Sequence, residues 1–169
     1  GNTTANVREI LKETDEALSL GSEIIAFPEL ALTGYTCGDL FFQSTLHRGV
    51  ADGLSQLADR TLGERFTLIV GAPLPIEGQL YNCAVVISQG KIVGISAKTF
   101  LSNYGEFYEK RWFSSAADLP VGEIRARQIG LNCEQDYAIP IGGDLIYRFS
   151  DGTSFGIEIC EDLWAPLPP

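Results

Sequence analysis

Two runs rich in β-branched residues, 80–88 and 91–98, flank Gln89-Gly90 and constrain the fold of this chain more than any other feature. A glycine-containing turn between two such runs predicts a β-hairpin. A third apolar run, residues 67–72, comes shortly before the hairpin and predicts another strand. The middle of the chain is therefore expected to form a β-sheet.

Two segments with apolar residues at helical spacing indicate that helices accompany this sheet. Residues 6–20 carry one apolar face and end at Gly21, and residues 44–61 carry a second such face. Between them, the apolar run 23–27 predicts a buried strand. The N-terminal part of the chain is therefore expected to alternate helix, strand and helix.

The C-terminal third contains a further pair of predicted strands, residues 144–149 and 154–160, joined by Asp151-Gly152. Residues 114–143 carry turn formers without a regular period, and we expect them to form a surface insertion. The complete order is helix, strand, helix, three strands, an irregular stretch and two strands. This order predicts an α/β fold in which the helices cover one face of a mixed sheet.

Composition limits the functions that such a chain can have. Its 169 residues, 45% of them hydrophobic, are enough to bury a core and predict one globular domain. A formal charge of −10 and a pI near 4.5 would repel phosphate backbones and anionic lipids, which excludes binding to nucleic acid or to a membrane surface. No apolar run approaches the roughly 20 residues that a membrane helix needs, so a cytoplasmic location is expected.

The four cysteines are too sparse for a disulfide framework and are expected to be free thiols. They are Cys37, Cys83, Cys133 and Cys160. Because the chain has a single histidine and no closely spaced cysteine pair, we expect no metal site. Its chemistry is therefore expected to rest on organic side chains.

Three side chains with chemical potential follow predicted strands. Glu29 follows the first strand, Lys98 ends the hairpin, and Cys160 closes the last strand. Strand ends of one sheet can meet at one edge, so these groups are expected to converge. Two acidic residues follow Cys160 and favour its neutral thiol, so a base or a cation is needed to activate it. The only histidine, His47, lies far upstream, which leaves Glu29 as the candidate base and Lys98 as the candidate oxyanion donor.

Each of these residues also has a purely structural explanation. A cysteine after a strand is most often a small buried apolar side chain. Glu29 alone fits a loop carboxylate at a helix entry, and Lys98 alone fits a solvated charge at the end of a hairpin. Only the combination of all three favours a catalytic site.

The segments around these three residues resemble known signatures. FPELALTGY contains Glu29, AKTFLSNYGEFYEKRWF contains Lys98, and FGIEICEDLW contains Cys160. Together they are similar to the signature segments of the nitrilase superfamily, whose members share a Glu-Lys-Cys triad. The second segment and the CEDLW ending look specifically like the glutaminase domains of glutamine-dependent NAD(+) synthetases. The resemblance runs from Asn6 to Pro168 and weakens in the irregular stretch.

This resemblance implies a role for each matching residue. Glu29 would be the general base, Lys98 the cation that stabilises the oxyanion, and Cys160 the nucleophile. Glu106, eight residues after Lys98, would be a second carboxylate that orients the lysine and the substrate.

The resemblance also implies a glutamine pocket. Four residues match positions that line this pocket in the synthetase family: Tyr35, Tyr104, Phe107 and Glu161. Their aromatic rings would pack on the methylene groups of the substrate, and the carboxylate would bind its α-ammonium group. The family usually has proline where this chain has Ser102, which is expected to loosen the loop that positions Tyr104.

Fold and partners follow from the same resemblance. The superfamily fold is a nitrilase-like α-β-β-α sandwich larger than this chain, so residues 1–169 are expected to be part of that domain, truncated at both ends. The glutaminase half would need no cofactor. ATP and Mg²⁺ would serve a ligase domain, absent from this chain, that consumes ammonia to convert deamido-NAD(+) to NAD(+). A homo-oligomer is implied, and the chain alone is expected to be inactive or weakly active.

The sequence is also compatible with two other functions. A free-standing amidase or carbamoylase of the same superfamily would keep the triad without a ligase partner. A non-catalytic fragment or binding module would keep the signature segments without a complete active site.

Overall fold

A mixed six-stranded β-sheet with two packed helices forms the centre of the computed structural model, which describes residues 1–169. The helices are α1 (Thr3–Ser19) and α2 (Ser44–Thr61). The sheet contains β1 (Ile24–Ala26), β2 (Thr67–Ile76), β3 (Gln79–Ser88), β4 (Lys91–Ala97), β5 (Glu123–Arg125) and β6 (Ala138–Gly142). A separate pair of short strands follows, β7 (Tyr147–Arg148) and β8 (Ser154–Phe155).

The spatial order of the main sheet is β1-β2-β3-β4-β6-β5. β1 is parallel to β2 and β4 is parallel to β6, whereas the other neighbours are antiparallel. The predicted hairpin is confirmed, with Ser88 paired to Lys91. Its turn residues Gln89 and Gly90 have φ angles of 52° and 77°, which suits the twist of a tight hairpin.

The two helices bury their apolar faces against this sheet. Leu54 and Leu57 of α2 are fully buried in the main core. α1 lies beside α2, and a Cβ atom on Gly53 would be 2.7 Å from a methyl group of Val7, so only glycine permits this close approach. The predicted α/β fold with a mixed sheet and both predicted helices are confirmed.

The prediction that residues 114–143 form a surface insertion is wrong. β5 and β6 lie within this stretch, and β6 extends the main sheet next to β4. Ile124, Ile139 and Ile141 are buried in the main core. Strands this short, one of them containing Pro140, carry too little alternation for their pattern to be recognised in the sequence.

The predicted strand before Cys160 is only partly regular. Residues 156–159 continue from β8 toward Cys160 without pairing, because an alternating pattern predicts an extended chain but does not provide a partner strand. Tyr147 holds this unit on the main sheet: its hydroxyl lies 3.1 Å from Ser96 Oγ, and its ring covers Gly94. Burial raises the pKa of Tyr147 to about 12.

The four cysteines are unpaired and differ in exposure. Cys37 and Cys83 are buried, Cys133 is half-buried, and Cys160 is exposed. Burial raises the pKa of the Cys83 thiol. Cys160 is therefore the most accessible thiol of the chain. No helix of the structure combines the length and the apolarity needed to cross a membrane.

Candidate active site

Lys98 lies at the centre of a buried cluster of charges directly after β4. Its side chain is 0% exposed, and Nζ lies 2.6 Å from Glu29 Oε1 and 2.9 Å from Glu109 Oε1. A buried ammonium group needs such partners, because an unpaired charge in the interior is very costly. Burial alone would lower the pKa of Lys98, but the hydrogen bonds that its ammonium group donates to the two carboxylates outweigh this effect and raise the pKa. The lysine is therefore a fixed cation.

Glu29 reaches this cluster from the turn that follows β1. Its side chain is 16% exposed, and its Oε1 also accepts a hydrogen bond of 2.6 Å from Asn82 Nδ2. The turn lies directly on β2: a Cβ atom on Gly71 would be 2.3 Å from Leu30 N. Leu32 N donates to Gly71 O at 3.0 Å and fixes the turn on the strand. Glycine at this position therefore positions Glu29.

Cys160 stands at the start of a short 3-10 helix, Cys160–Trp164, with a φ angle of 51°. A non-glycine residue in this left-handed region is strained, and such residues occur often at functional sites. Cys160 and Glu29 both line a cavity of about 350 Å³, whose other walls come from β1, β2, β3 and residues 155–159. Burial, and next the carboxylate of Glu29, raise the pKa of the Cys160 thiol, while Lys98 lowers it. These effects together favour the neutral thiol, which would need a base to become a nucleophile.

Asp162 ties the cysteine turn to the loop after β4. It is 1% exposed, and its Oδ1 accepts hydrogen bonds from the backbone N–H groups of Thr99 at 3.1 Å and Phe100 at 2.7 Å. Its Oδ2 accepts from Ile159 N at 3.1 Å. One carboxylate thus connects the residue after Lys98 with the residue before Cys160.

The second carboxylate on Lys98 is Glu109, whereas the sequence pointed to Glu106. Glu106 is exposed and makes no hydrogen bond or ion pair. The Glu109 side chain is 1% exposed, its Oε1 contacts Lys98, and its Oε2 accepts a hydrogen bond of 3.1 Å from Ser102 N. The structure thus places Lys98 between Glu29 and Glu109, lines one cavity with Glu29 and Cys160, and leaves Glu106 in solvent.

A sequence signal for Glu109 exists but is weak. A single turn of 3-10 helix, Glu109–Arg111, directs the glutamate inward. Glu109 comes three and four residues before Trp112 and Phe113, a spacing that places side chains on one side of a helical turn. The prediction favoured Glu106 because it lies eight residues after Lys98. Sequence spacing does not show which glutamate an irregular loop turns toward the lysine.

The four residues predicted for a substrate pocket lie together. Tyr104 Oη donates to Glu161 Oε2 at 2.9 Å, and Tyr35 Oη donates to Glu109 Oε1 at 2.6 Å. Phe107 stands edge-on to both tyrosine rings, with ring-centroid distances of 6.2 Å to Tyr35 and 5.9 Å to Tyr104. Burial, together with the Glu109 contact, raises the pKa of Tyr35, and the hydrogen bond to Glu161 raises the pKa of Tyr104.

Ser102 contributes two contacts that a proline could not make. Its backbone N–H donates to Glu109, and its hydroxyl lies 3.4 Å from Glu161 Oε2. The residue is 3% exposed. The loop that carries Tyr104 is therefore connected to both carboxylates despite the expected loosening.

Three residues at this site were not predicted from the sequence: Glu109, Asp162 and Asn82. Asn82 is fully buried in β3 and has no motif around it that distinguishes it from other strand residues. The chain has no group of three or more His, Cys, Asp and Glu side chains placed to hold a metal ion. What the arrangement offers is a thiol, a neighbouring carboxylate and a fixed cation, which suits nucleophilic attack on a carbonyl carbon.

A thiol, a carboxylate and a buried ammonium group on a mixed α/β sheet are groups that an enzyme can use to attack a carbonyl carbon. The sequence profile described as carbon-nitrogen hydrolase matches residues 1–168, and the chain belongs to this family.

Individual relatives of the chain belong to a narrower group within this family. Glutamine-dependent NAD(+) synthetase of Mycobacterium leprae is 31% identical over 175 residues, which cover 100% of this chain and 24% of the relative. The solved synthetase of Acinetobacter baumannii, in complex with ADP, has a TM-score of 0.75 at 28% identity and covers 98% of this chain and 26% of that one. The synthetase of Cytophaga hutchinsonii has a TM-score of 0.74 at 31% identity, with coverages of 89% and 24%.

These matches confirm the resemblance that the three signature segments predicted. The chain is homologous to part of glutamine-dependent NAD(+) synthetases and spans about a quarter of their length.

Proposed function

We propose that this chain hydrolyses the side-chain amide of glutamine and supplies the ammonia to an NAD(+) synthetase domain. The observation that carries this proposal is the position of Lys98, fully buried between Glu29 and Glu109, where Glu29 also lines one cavity with Cys160. The names of the relatives support glutamine as the substrate and the synthesis of NAD(+) as the use of the ammonia.

The first half of the reaction forms a thioester. Glu29 takes the proton of Cys160 while sulfur attacks the carbon of the carboxamide. The electron pair of the C=O bond moves to oxygen, where Lys98 and the backbone N–H of Glu161 stabilise the negative charge. When the C–N bond breaks, the amine takes the proton from Glu29 and leaves as ammonia.

The second half releases glutamate and regenerates the thiol. Glu29 removes a proton from water, and the hydroxide oxygen attacks the thioester carbon. The C–S bond breaks, and the sulfur of Cys160 recovers the proton from Glu29. Two easier steps thus replace one attack of water on a poorly reactive amide.

The pocket residues explain a preference for glutamine. Glu161 provides a negative charge for the α-ammonium group, and Tyr104 and Ser102 hold that carboxylate in place. The rings of Tyr35 and Phe107 offer apolar surface for the methylene groups. In this proposal ATP and Mg²⁺ act in the ligase domain, and the hydrolysis itself uses water together with side-chain and backbone groups of this chain.

Replacement of the nucleophile tests the proposal in the full-length protein. Cys160→Ala is expected to abolish glutamine-dependent NAD(+) formation and to leave ammonia-dependent formation intact. Cys133→Ala, at a half-buried thiol outside the site, is the matched control and should retain both activities. Glutamine-dependent formation that survives in Cys160→Ala would refute the nucleophile assignment.

A further inference from the structure

Asn82 of β3 holds the carboxylate that the proposed mechanism uses as its base. Asn82 is 0% exposed, and its Nδ2 lies 2.6 Å from Glu29 Oε1. Its backbone oxygen accepts a hydrogen bond of 2.8 Å from Lys98 N. One residue of β3 therefore contacts both the base and the backbone of the fixed cation.

The two oxygens of Glu29 have different surroundings. Oε1 accepts hydrogen bonds from Asn82 Nδ2 and from Lys98 Nζ, each at 2.6 Å. A carboxylate oxygen has two lone pairs, so these two donors occupy Oε1. Oε2 accepts no hydrogen bond from the protein and remains available for a proton.

The other end of the Asn82 amide indicates what orients it. Its Oδ1 is buried and has no hydrogen-bond partner. A buried oxygen without a hydrogen-bond donor destabilises the folded state, so its presence calls for an explanation. Turning the amide around would bring Oδ1 against the Glu29 carboxylate and remove a donor from it, so the contact with Glu29 alone fixes this orientation.

We propose that Asn82 is a positioning residue for the hydrolysis: by occupying Oε1 together with Lys98, it leaves Oε2 of Glu29 to receive the thiol proton of Cys160. The inference rests on the proposed function. The proton moves from sulfur to Oε2 as the C–S bond forms, and from Oε2 to the departing amine as the C–N bond breaks. Without Asn82, Lys98 is the only remaining donor to Glu29, so the carboxylate is held less firmly and Oε2 is no longer kept as the free oxygen.

Two substitutions test this role in the full-length protein. Asn82→Leu keeps a side chain of similar volume but removes the amide. Asn82→Ser introduces a smaller polar side chain and is used if leucine prevents folding. We expect kcat for glutamine hydrolysis to fall about tenfold to a hundredfold with KM changed less than about threefold, since the loss concerns proton transfer rather than binding.

A control separates this role from a contribution to stability. Thr61 is also fully buried, and it hydrogen-bonds Ala58 O and Gly90 N, neither of which belongs to the site. Thr61→Val should lower the melting temperature without changing kcat of the folded protein. If the Asn82 variants behave in the same way, with a lower melting temperature and unchanged kcat, the positioning role is refuted.

A second measurement does not depend on glutamine. Iodoacetamide alkylates Cys160, and its rate at one neutral pH can be followed by mass spectrometry. We expect the Asn82 variants to slow this alkylation about tenfold, because the base no longer takes the thiol proton efficiently. If the unaltered protein does not hydrolyse glutamine but the variants slow alkylation, the proposed substrate is wrong and the role of Asn82 stands. Alkylation at an unchanged rate would overturn that role.

Discussion

Lys98 and Glu109 form an ion pair inside the protein, with 2.9 Å between Nζ and Oε1 and side-chain exposures of 0% and 1%. Such a pair contributes little to stability by itself, but removal of one partner leaves an uncompensated buried charge. Glu109 also accepts hydrogen bonds from Tyr35 and Ser102, so its removal would loosen the proposed pocket as well as the cation.

Glu109 and Glu106 therefore provide a matched comparison. We expect Glu109→Gln to lower kcat for glutamine hydrolysis about a hundredfold and the free energy of unfolding by about 3–5 kcal/mol, because Lys98 loses a buried anionic partner. Glu106→Gln, in solvent, should change the free energy of unfolding by less than about 0.5 kcal/mol. Denaturant unfolding measures the effect on stability, and ammonia release measures the effect on kcat. Equal effects of the two substitutions would contradict the conclusion that Glu109, and not Glu106, is the second carboxylate beside Lys98.

Asp162 is expected to matter through its three backbone hydrogen bonds. Asp162→Ala removes the acceptor of Thr99, Phe100 and Ile159, so we expect a loss of roughly 3 kcal/mol in the free energy of unfolding and a large loss of activity. Asp162→Asn keeps one oxygen as an acceptor and should lie between alanine and the unaltered protein.

Glu134 offers the control for this substitution, since it is exposed and its side chain accepts no hydrogen bond. Glu134→Ala should leave both the denaturant midpoint and the rate of ammonia release nearly unchanged. An Asp162→Ala variant as stable and active as Glu134→Ala would show that Asp162 does not connect the two turns.

Substitution of Gly71 tests how closely the turn that carries Glu29 must lie on β2. A Cβ atom there would meet backbone atoms of Leu30, Pro28 and Glu29 at 2.3–2.8 Å, and backbone cannot move aside as a flexible side chain can. We expect Gly71→Ala to cost about 1–3 kcal/mol of stability and to lower kcat by displacing the carboxylate. Gly122, where a Cβ would meet nothing within 4 Å, is the control, and calorimetry with ammonia release compares the two.

The elements with strong periodicity could be predicted from the sequence. The hairpin around Gln89-Gly90 and the two amphipathic helices follow from local patterns, and the structure confirms them. The convergence of Glu29 and Lys98 also follows, because each stands where a strand of one sheet ends. Local pattern and overall topology agree in these cases.

The other parts of the fold and of the site depend on contacts between residues distant in the sequence, which no local pattern reveals. β6 becomes a strand because β4 offers it an edge, although Pro140 weakens its own preference. Glu109 replaces Glu106 beside Lys98 because a 3-10 turn redirects the loop. Asn82 looks like any polar strand residue until the turn that carries Glu29 packs over it.

Cys160 should react as a thiol with a high pKa. Burial, followed by the carboxylate of Glu29, raises its pKa, and smaller contributions from Glu109 and Glu161 act in the same direction against the opposing effect of Lys98. Iodoacetamide attacks the thiolate, so a raised pKa moves the rise of the alkylation rate to higher pH. We expect the rate for Cys160 in the folded protein to keep rising beyond about pH 9, whereas in denatured protein, where a thiol has a pKa near about 8.5, it should level off earlier. A plateau of the folded protein below about pH 8 would instead indicate a preformed thiolate, and Glu29 would then have no proton to remove.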